Sequence, residues 1–128
     1  MEPFDLRIMD AARAAGGDVF LHICKDNLNM DRYRKYGAHC DVVNWGIYEA
    51  PYSMEQGRKL FPGETIMGGL ANRSGVLVDG TDAELQAAVR KIIADFQGNG
   101  LILGADCTLP TEIPYQRIAT AVHAAVIK

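Results

Sequence analysis

A chain of 128 residues, 48% apolar and 23% charged, is long enough to bury roughly two-thirds of its extended surface around one core, and its composition lies well away from the disordered and collagen-like classes. Thirteen Lys and Arg against sixteen Asp and Glu leave a formal charge of -3 with no basic run, which argues against a nucleic-acid partner. No stretch approaches the roughly eighteen continuous apolar residues of a membrane span, and the acidic start Met1-Glu2-Pro3-Phe4-Asp5 is unlike a signal peptide; a cytoplasmic protein with a single domain over residues 1–128 is expected.

The first predicted element is a helix over residues 4–15, closed by Gly16-Gly17. A strand over 19–23 and a short helix over 30–36, closed by Gly37, come next, and "DVVNW" follows at once as a second strand. Ser53 and Gln56 spell a capping box ahead of "MEQGRKLF", which Pro62-Gly63 stops, and "TIMGG" gives a third strand. Thr81 and Glu84 spell another ahead of the clearest helix, 81–96, where Leu85, Ala88, Val89, Ile92, Ile93 and Phe96 recur at helical spacing. Gly98-Asn99-Gly100 ends it, and "LILG" has the composition of a strand covered on both faces. The last helix starts at Pro114 and places Ile118, Ala119, Val122 and Val126 on one face.

Strands alternating with helices predict an α/β fold: a parallel sheet with right-handed crossovers, covered by helices. Four strands are half of the eight that close a standard parallel barrel. The chain is therefore either a small open sandwich or half of a (β/α)8 TIM barrel completed by a partner that pairs with its exposed edges.

Within the first strand, "VFLHICKDN" carries His22 and Cys24 two residues apart, so both side chains project to the same face at the strand's carboxyl end. That end is where parallel α/β folds place their chemistry. Cys107 occupies the corresponding end of the fourth strand. If the two strand tips approach each other, two thiolates and an imidazole converge, a donor set suited to Zn²⁺, with the fourth position left open as in a catalytic site. A thiol entering that position would lose its proton and become a nucleophile at neutral pH. Glu49, just after the second strand, could fill the fourth position or accept that proton, and Asp106 could orient a ligand. Three cysteines without a secretion signal favour metal or reactive-thiol chemistry over a disulfide framework.

Other residues invite plainer readings. Cys40, with His39, sits at the opposite end of the second strand and is read as structural, and His123 as solvated. Gly68-Gly69 allows a tight turn or a close ligand approach but belongs to no phosphate-binding pattern. Arg73 either binds a substrate carboxylate or sits on a solvated loop.

The stretches "FLHICKDN", "CDVVNWGIYEAP", "ETIMGGLANRSGVLVDGTDAEL" and "GLILGADCTLPTEIPYQRI" together resemble the carboxyl-terminal half of the uroporphyrinogen decarboxylase superfamily, which includes the cobamide-dependent methyltransferases. The resemblance runs from about residue 4 to 126. Because family members are (β/α)8 barrels, it implies that strands five to eight are represented here and strands one to four are not. In the methyltransferase branch a His-x-Cys after the fifth strand and a Cys after the eighth hold zinc, which activates the thiol of coenzyme M or a related acceptor toward a methylcorrinoid. His22, Cys24 and Cys107 match that pattern. In the decarboxylase branch the position of Cys107 is similar to a histidine of a Gly-His-Gly motif, absent from this sequence, and the decarboxylase's arginines and central aspartate belong to the other half. The resemblance thus implies zinc-dependent methyl transfer with a methylcorrinoid co-substrate and a partner, either a second copy in a homodimer or a separately encoded amino-terminal half barrel, and possible docking of a corrinoid protein. A non-catalytic dimeric half-barrel fragment and uroporphyrinogen decarboxylation in tetrapyrrole synthesis are the alternatives.

Overall fold

The structure, a computed structural model, describes residues 2–24, 29–50 and 52–126; Lys25-Asp26-Asn27 of the first motif and Pro51 of the second lie outside them. The elements run α1 (Glu2–Ala14), β1 (Phe20–Ile23), a 3₁₀ helix η1 (Met30–His39), β2 (Val42–Trp45), α2 (Met54–Leu60), β3 (Thr65–Leu70), α3 (Asp82–Asp95), β4 (Leu101–Ala105) and α4 (Tyr115–Ala125). All neighbouring strands pair in parallel in the order β1-β2-β3-β4, with His22 beside Asn44 and Asn44 beside Met67. Consecutive parallel strands joined by crossovers of one hand place every connecting helix on the same side. The architecture is half of a TIM barrel.

Strand alternation separates the two faces. Leu21, Ile23, Val43, Trp45, Ile66 and Leu101 point toward the helices and join Met9, Tyr36, Leu60 and Phe61 in one core cluster, while Leu70, Leu85, Val89 and Ala121 form a second beneath α3 and α4. Phe20, His22, Asn44, Met67 and Ile102 lie on the other face, which would be the barrel interior. That face is open. Phe20 is 59% exposed and Ile102 38%, so the expectation that β4 is covered on both faces fails among the described residues: its apolarity suits a neighbour that is not one of them. The last helix departs from expectation in the same way, burying Ala121 while Val122 and Val126 face outward. Among the described residues no helix is long and apolar enough to cross a membrane.

The sheet is strongly curled. The Asn44 amide on β2 donates to the Ala105 carbonyl at the end of β4, 3.1 Å away, although in a flat sheet strands two apart are separated by about 9–10 Å, beyond the reach of an asparagine.

Both predicted capping boxes form, each with its reciprocal pair of bonds: Ser53 with Gln56 and Thr81 with Glu84. The segment after Asn29 differs from expectation, being a succession of 3₁₀ turns that continues through Gly37 to His39. Because 3₁₀ hydrogen bonds have poor geometry, outside support matters here: Tyr36 donates to Asp5, His39 Nδ1 lies 2.6 Å from Asp10, and Arg13 donates to the Ala38 carbonyl. Gly37 does not stop the helix. It makes room for Phe61, whose ring lies 3.2 Å from where a Cβ would stand.

Gly57 in α2 is the tightest fit in the core, since a Cβ there would come within 2.0 Å of the fully buried Trp45 ring. In an exposed helix Gly→Ala is worth up to about 1 kcal/mol of added stability. Here the sign reverses: Gly57→Ala should cost about 1–3 kcal/mol or more by overpacking, seen as a lower urea midpoint.

Two acidic groups of this region are held neutral. Burial, reinforced by Asp5, raises Tyr36 from 10.0 to about 12, and burial, reinforced by Glu64, raises Cys40 from 9.0 to about 11. Folded values above unfolded ones mean stability that is complete below pH 9 and lost as pH rises through about 11 and then 12. The urea midpoint should fall across that window, and Cys40→Ala should remove the earlier part of the fall.

Candidate metal centre

His22 and Cys24 leave the carboxyl end of β1, and Cys107 follows β4. The curl of the sheet closes the distance between those two edges: the Cys24 and Cys107 sulfurs stand 3.9 Å apart, and one donor atom from each of His22, Cys24 and Cys107 lies within 4.8 Å of the others. Among the described residues no carboxylate joins this group. With zinc–sulfur bonds of about 2.3 Å, two thiolates at adjacent corners of a tetrahedron are about 3.8 Å apart. The donor set suits a zinc ion and the sulfur spacing already matches a tetrahedral edge, while donors spread within 4.8 Å need a small closure to reach bonding distance together.

A residue not singled out in the sequence fixes the imidazole. Asn44, buried in β2 directly beside His22 in the sheet register, donates its amide hydrogens to the Met67 carbonyl at 2.8 Å and the Ala105 carbonyl at 3.1 Å. With both hydrogens committed, its Oδ1 faces His22 Nδ1 at 2.5 Å as an acceptor, so Nδ1 carries the proton. The Nε2 lone pair is then left for a metal. The signal in the sequence was an asparagine inside the apolar run Val42-Val43-Asn44-Trp45, since a buried amide needs partners.

Cys107 is positioned from both sides. The preceding Asp106 donates its backbone N–H to Leu70 and accepts the Tyr48 N–H through Oδ2 at 2.9 Å, while the carbonyl of the following Thr108 accepts from the buried Asn72 amide. Asp106 is thus a buried brace between the loops after β2 and β4, and the bond that orients the histidine comes from Asn44 instead. Burial pushes the Asp106 carboxyl above the usual carboxylate range, opposed by backbone N–H donors from Tyr48 and Ile47. Its Oδ1 has no partner among the described residues.

Glu49 is exposed and folds back over Gly46, its Oε2 3.4 Å from where a Gly46 Cβ would stand. It stands apart from the three ligands, because the turn after β2 directs it along the loop. Arg73 lies exposed on its loop and His123 on α4, Cys40 is buried at the amino end of the sheet, and the Gly68-Gly69 pair lies inside β3, with Gly69 at φ 117° against Ile92.

A cavity of about 500 Å³ opens beside the ligands, with Met67, Gly104 and Leu109 as its apolar walls. Gly104 keeps it wide, since a Cβ there would press on Met67 at 3.0 Å. A cavity of similar size between α3 and α4, about 440 Å³, is lined by Arg90, Ile93, Gln97 and Val126 and offers no such donors.

The sequence model of the family described as Uroporphyrinogen decarboxylase (URO-D) matches residues 1–126. The chain belongs to this family. No curated protein matches it in sequence. Among solved structures, a methyltransferase from Methanosarcina mazei superposes on 93% of this uroporphyrinogen decarboxylase family chain with a TM-score of 0.70 at 16% identity, a likeness of fold. The match covers 34% of the methyltransferase, so the chain spans about a third of that structure's length.

Proposed function

We propose that this member of the uroporphyrinogen decarboxylase family contributes the zinc-holding half of a methyltransferase that moves a methyl group from a methylcorrinoid to a thiol. The observation that carries this reading is the convergence of His22, Cys24 and Cys107 at one point of the barrel mouth. Zinc bound there would supply the charge that lowers an acceptor thiol's pKa into the neutral range. The chain's own residues do the remaining work. Asn44 holds the histidine in the tautomer that presents Nε2, the brace at Asp106 and Asn72 fixes Cys107, and Met67 and Leu109 exclude water from one side of the reacting thiol. The proton lost by the acceptor thiol would pass to solvent at the open mouth, since Glu49 stands apart from the ligands. The methylcorrinoid would approach from the open side of the mouth, where a partner completes the barrel wall.

Cobalt(II) titration of the purified chain, followed by addition of a small alkyl thiol such as coenzyme M, tests the reading. Intense visible bands of tetrahedral cobalt with a thiolate charge-transfer band are expected, with a further change when the acceptor thiol enters. A weak octahedral spectrum, or a spectrum indifferent to thiol, would count against it.

A further inference from the structure

We infer that Cys24 and Cys107 close into a reversible disulfide when a hydroperoxide reaches the barrel mouth, and that this bridge and a metal ion exclude each other. The bridge rests on the sulfur geometry alone; the exclusion rests on the metal reading proposed above.

Protein contacts bring the two sulfurs together. The Asn44 amide ties β2 to the Ala105 carbonyl at the end of β4, the Asp106 N–H donates to the Leu70 carbonyl, and the Asp106 carboxylate accepts the Tyr48 N–H. β1 is carried along by its pairing with β2, His22 beside Asn44. The 3.9 Å separation of the sulfurs therefore belongs to the folded chain. A disulfide needs about 2.05 Å, which each sulfur reaches by moving about 0.9 Å. Both cysteines lie beyond the last paired residues of their strands, Ile23 and Ala105, so closure asks for side-chain rotation and leaves the register intact.

Exposure sets the order of events, because Cys24 is exposed and Cys107 only partly so. The Cys24 thiolate attacks one peroxide oxygen, the O–O bond breaks, and the sulfur becomes a sulfenic acid while the other oxygen leaves with the proton as water or alcohol. The Cys107 sulfur then attacks the Cys24 sulfur, the S–O bond breaks, and the departing hydroxide takes the Cys107 proton as water. Two thiols and one hydroperoxide thus give one disulfide, one water and one alcohol, or two waters from hydrogen peroxide, with two electrons passing from the sulfurs to the oxygens. A second thiol this close captures the sulfenic acid before further peroxide carries it to the irreversible sulfinic stage. Cys40 stays out of the reaction: it is 4% exposed, donates to the Gly37 carbonyl and lies at the other end of the sheet.

Sulfurs joined to each other have neither the negative charge nor the tetrahedral spacing that zinc requires. Thiolates bound to zinc, in turn, have committed the lone pairs that would attack a peroxide. Of the three donors the bridged site keeps His22, still held by Asn44, so a reducing thiol restores the full set without refolding.

The test treats the chelator-washed full chain with one equivalent of hydrogen peroxide, then denatures it in iodoacetamide without reductant for mass spectrometry. Cys40 should carry the label, Cys24 and Cys107 should emerge as one cross-linked pair of peptides, and dithiothreitol should release both. Because the bridge closes a loop of 83 residues, the urea midpoint should rise by about 1 M or more. Zinc affinity of the bridged chain, read by competition with a chromogenic chelator, should fall by about a hundredfold or more, and zinc-loaded chain should form the bridge about tenfold more slowly. Cys107→Ser should stop at a sulfenic acid on Cys24 that dimedone traps. Sulfinic acid on Cys24 of the unaltered chain without a bridge, or bridges between chains, would overturn the inference even if zinc binds as proposed. A bridge in a chain that binds no zinc before or after oxidation would uphold the bridge and remove the exclusion together with the metal reading.

Discussion

Purified protein should carry about one zinc per chain, and Cys107→Ser should lose it. Apparent binding free energies of about 10–16 kcal/mol are typical of small zinc sites at neutral pH. Shared among three protein donors and one exchangeable ligand, that makes a single thiolate worth on the order of 3 kcal/mol, about a hundredfold in affinity. A serine hydroxyl does not ionise at neutral pH and cannot replace it. The substitution is also mild for the fold, since Cys107 is only partly buried and its loop is braced through its neighbours Asp106 and Thr108. Metal analysis after a brief chelator wash should therefore show the ion retained by the unaltered protein and by Cys40→Ser, whose thiol is buried at the far end of the sheet, and absent from Cys107→Ser. Zinc held equally by all three proteins would place the metal elsewhere. None in the unaltered protein after reconstitution would leave the fold standing without its proposed chemistry.

The features legible in the sequence were the ones that local chemistry dictates. Reciprocal capping at Ser53–Gln56 and Thr81–Glu84 needs only residues three apart, and the shared face of His22 and Cys24 needs only the two-residue period of a strand. What the sequence withheld depends on packing between distant segments. Asn44 reads as an anomaly in an apolar strand until the register sets it beside His22 and the curl brings Ala105 within reach. Asp106 and Glu49 lie where their strands end, yet loop conformation gives one to the Tyr48 backbone and turns the other away from the sulfurs. The apolar runs in β4 and α4 record that something covers them, and a run of hydrophobic letters does not say whether the cover belongs to the same chain.

Asn44 offers the sharpest separation of fold from site. In Asn44→Ala the Met67 and Ala105 carbonyls lose their donor and the His22 Nδ1–H its acceptor. Carbonyls stranded at the base of a half-open cavity should cost about 2–4 kcal/mol in stability, and an imidazole free to rotate or change tautomer should weaken zinc binding by about tenfold to a hundredfold. Asn44→Asp divides the two effects. A carboxylate still accepts from His22 Nδ1 and so keeps the metal-presenting tautomer, but it has no hydrogen for either carbonyl and sets a negative charge against both. Stability should fall at least as far as in the alanine variant while zinc affinity falls less. Urea midpoints of the metal-free proteins give the first quantity, and competition with a chromogenic chelator gives the second. If the alanine variant bound zinc as tightly as the unaltered protein, the histidine would need no orienting partner, and the bond to Asn44 would serve only to hold β2, β3 and β4 in their curl.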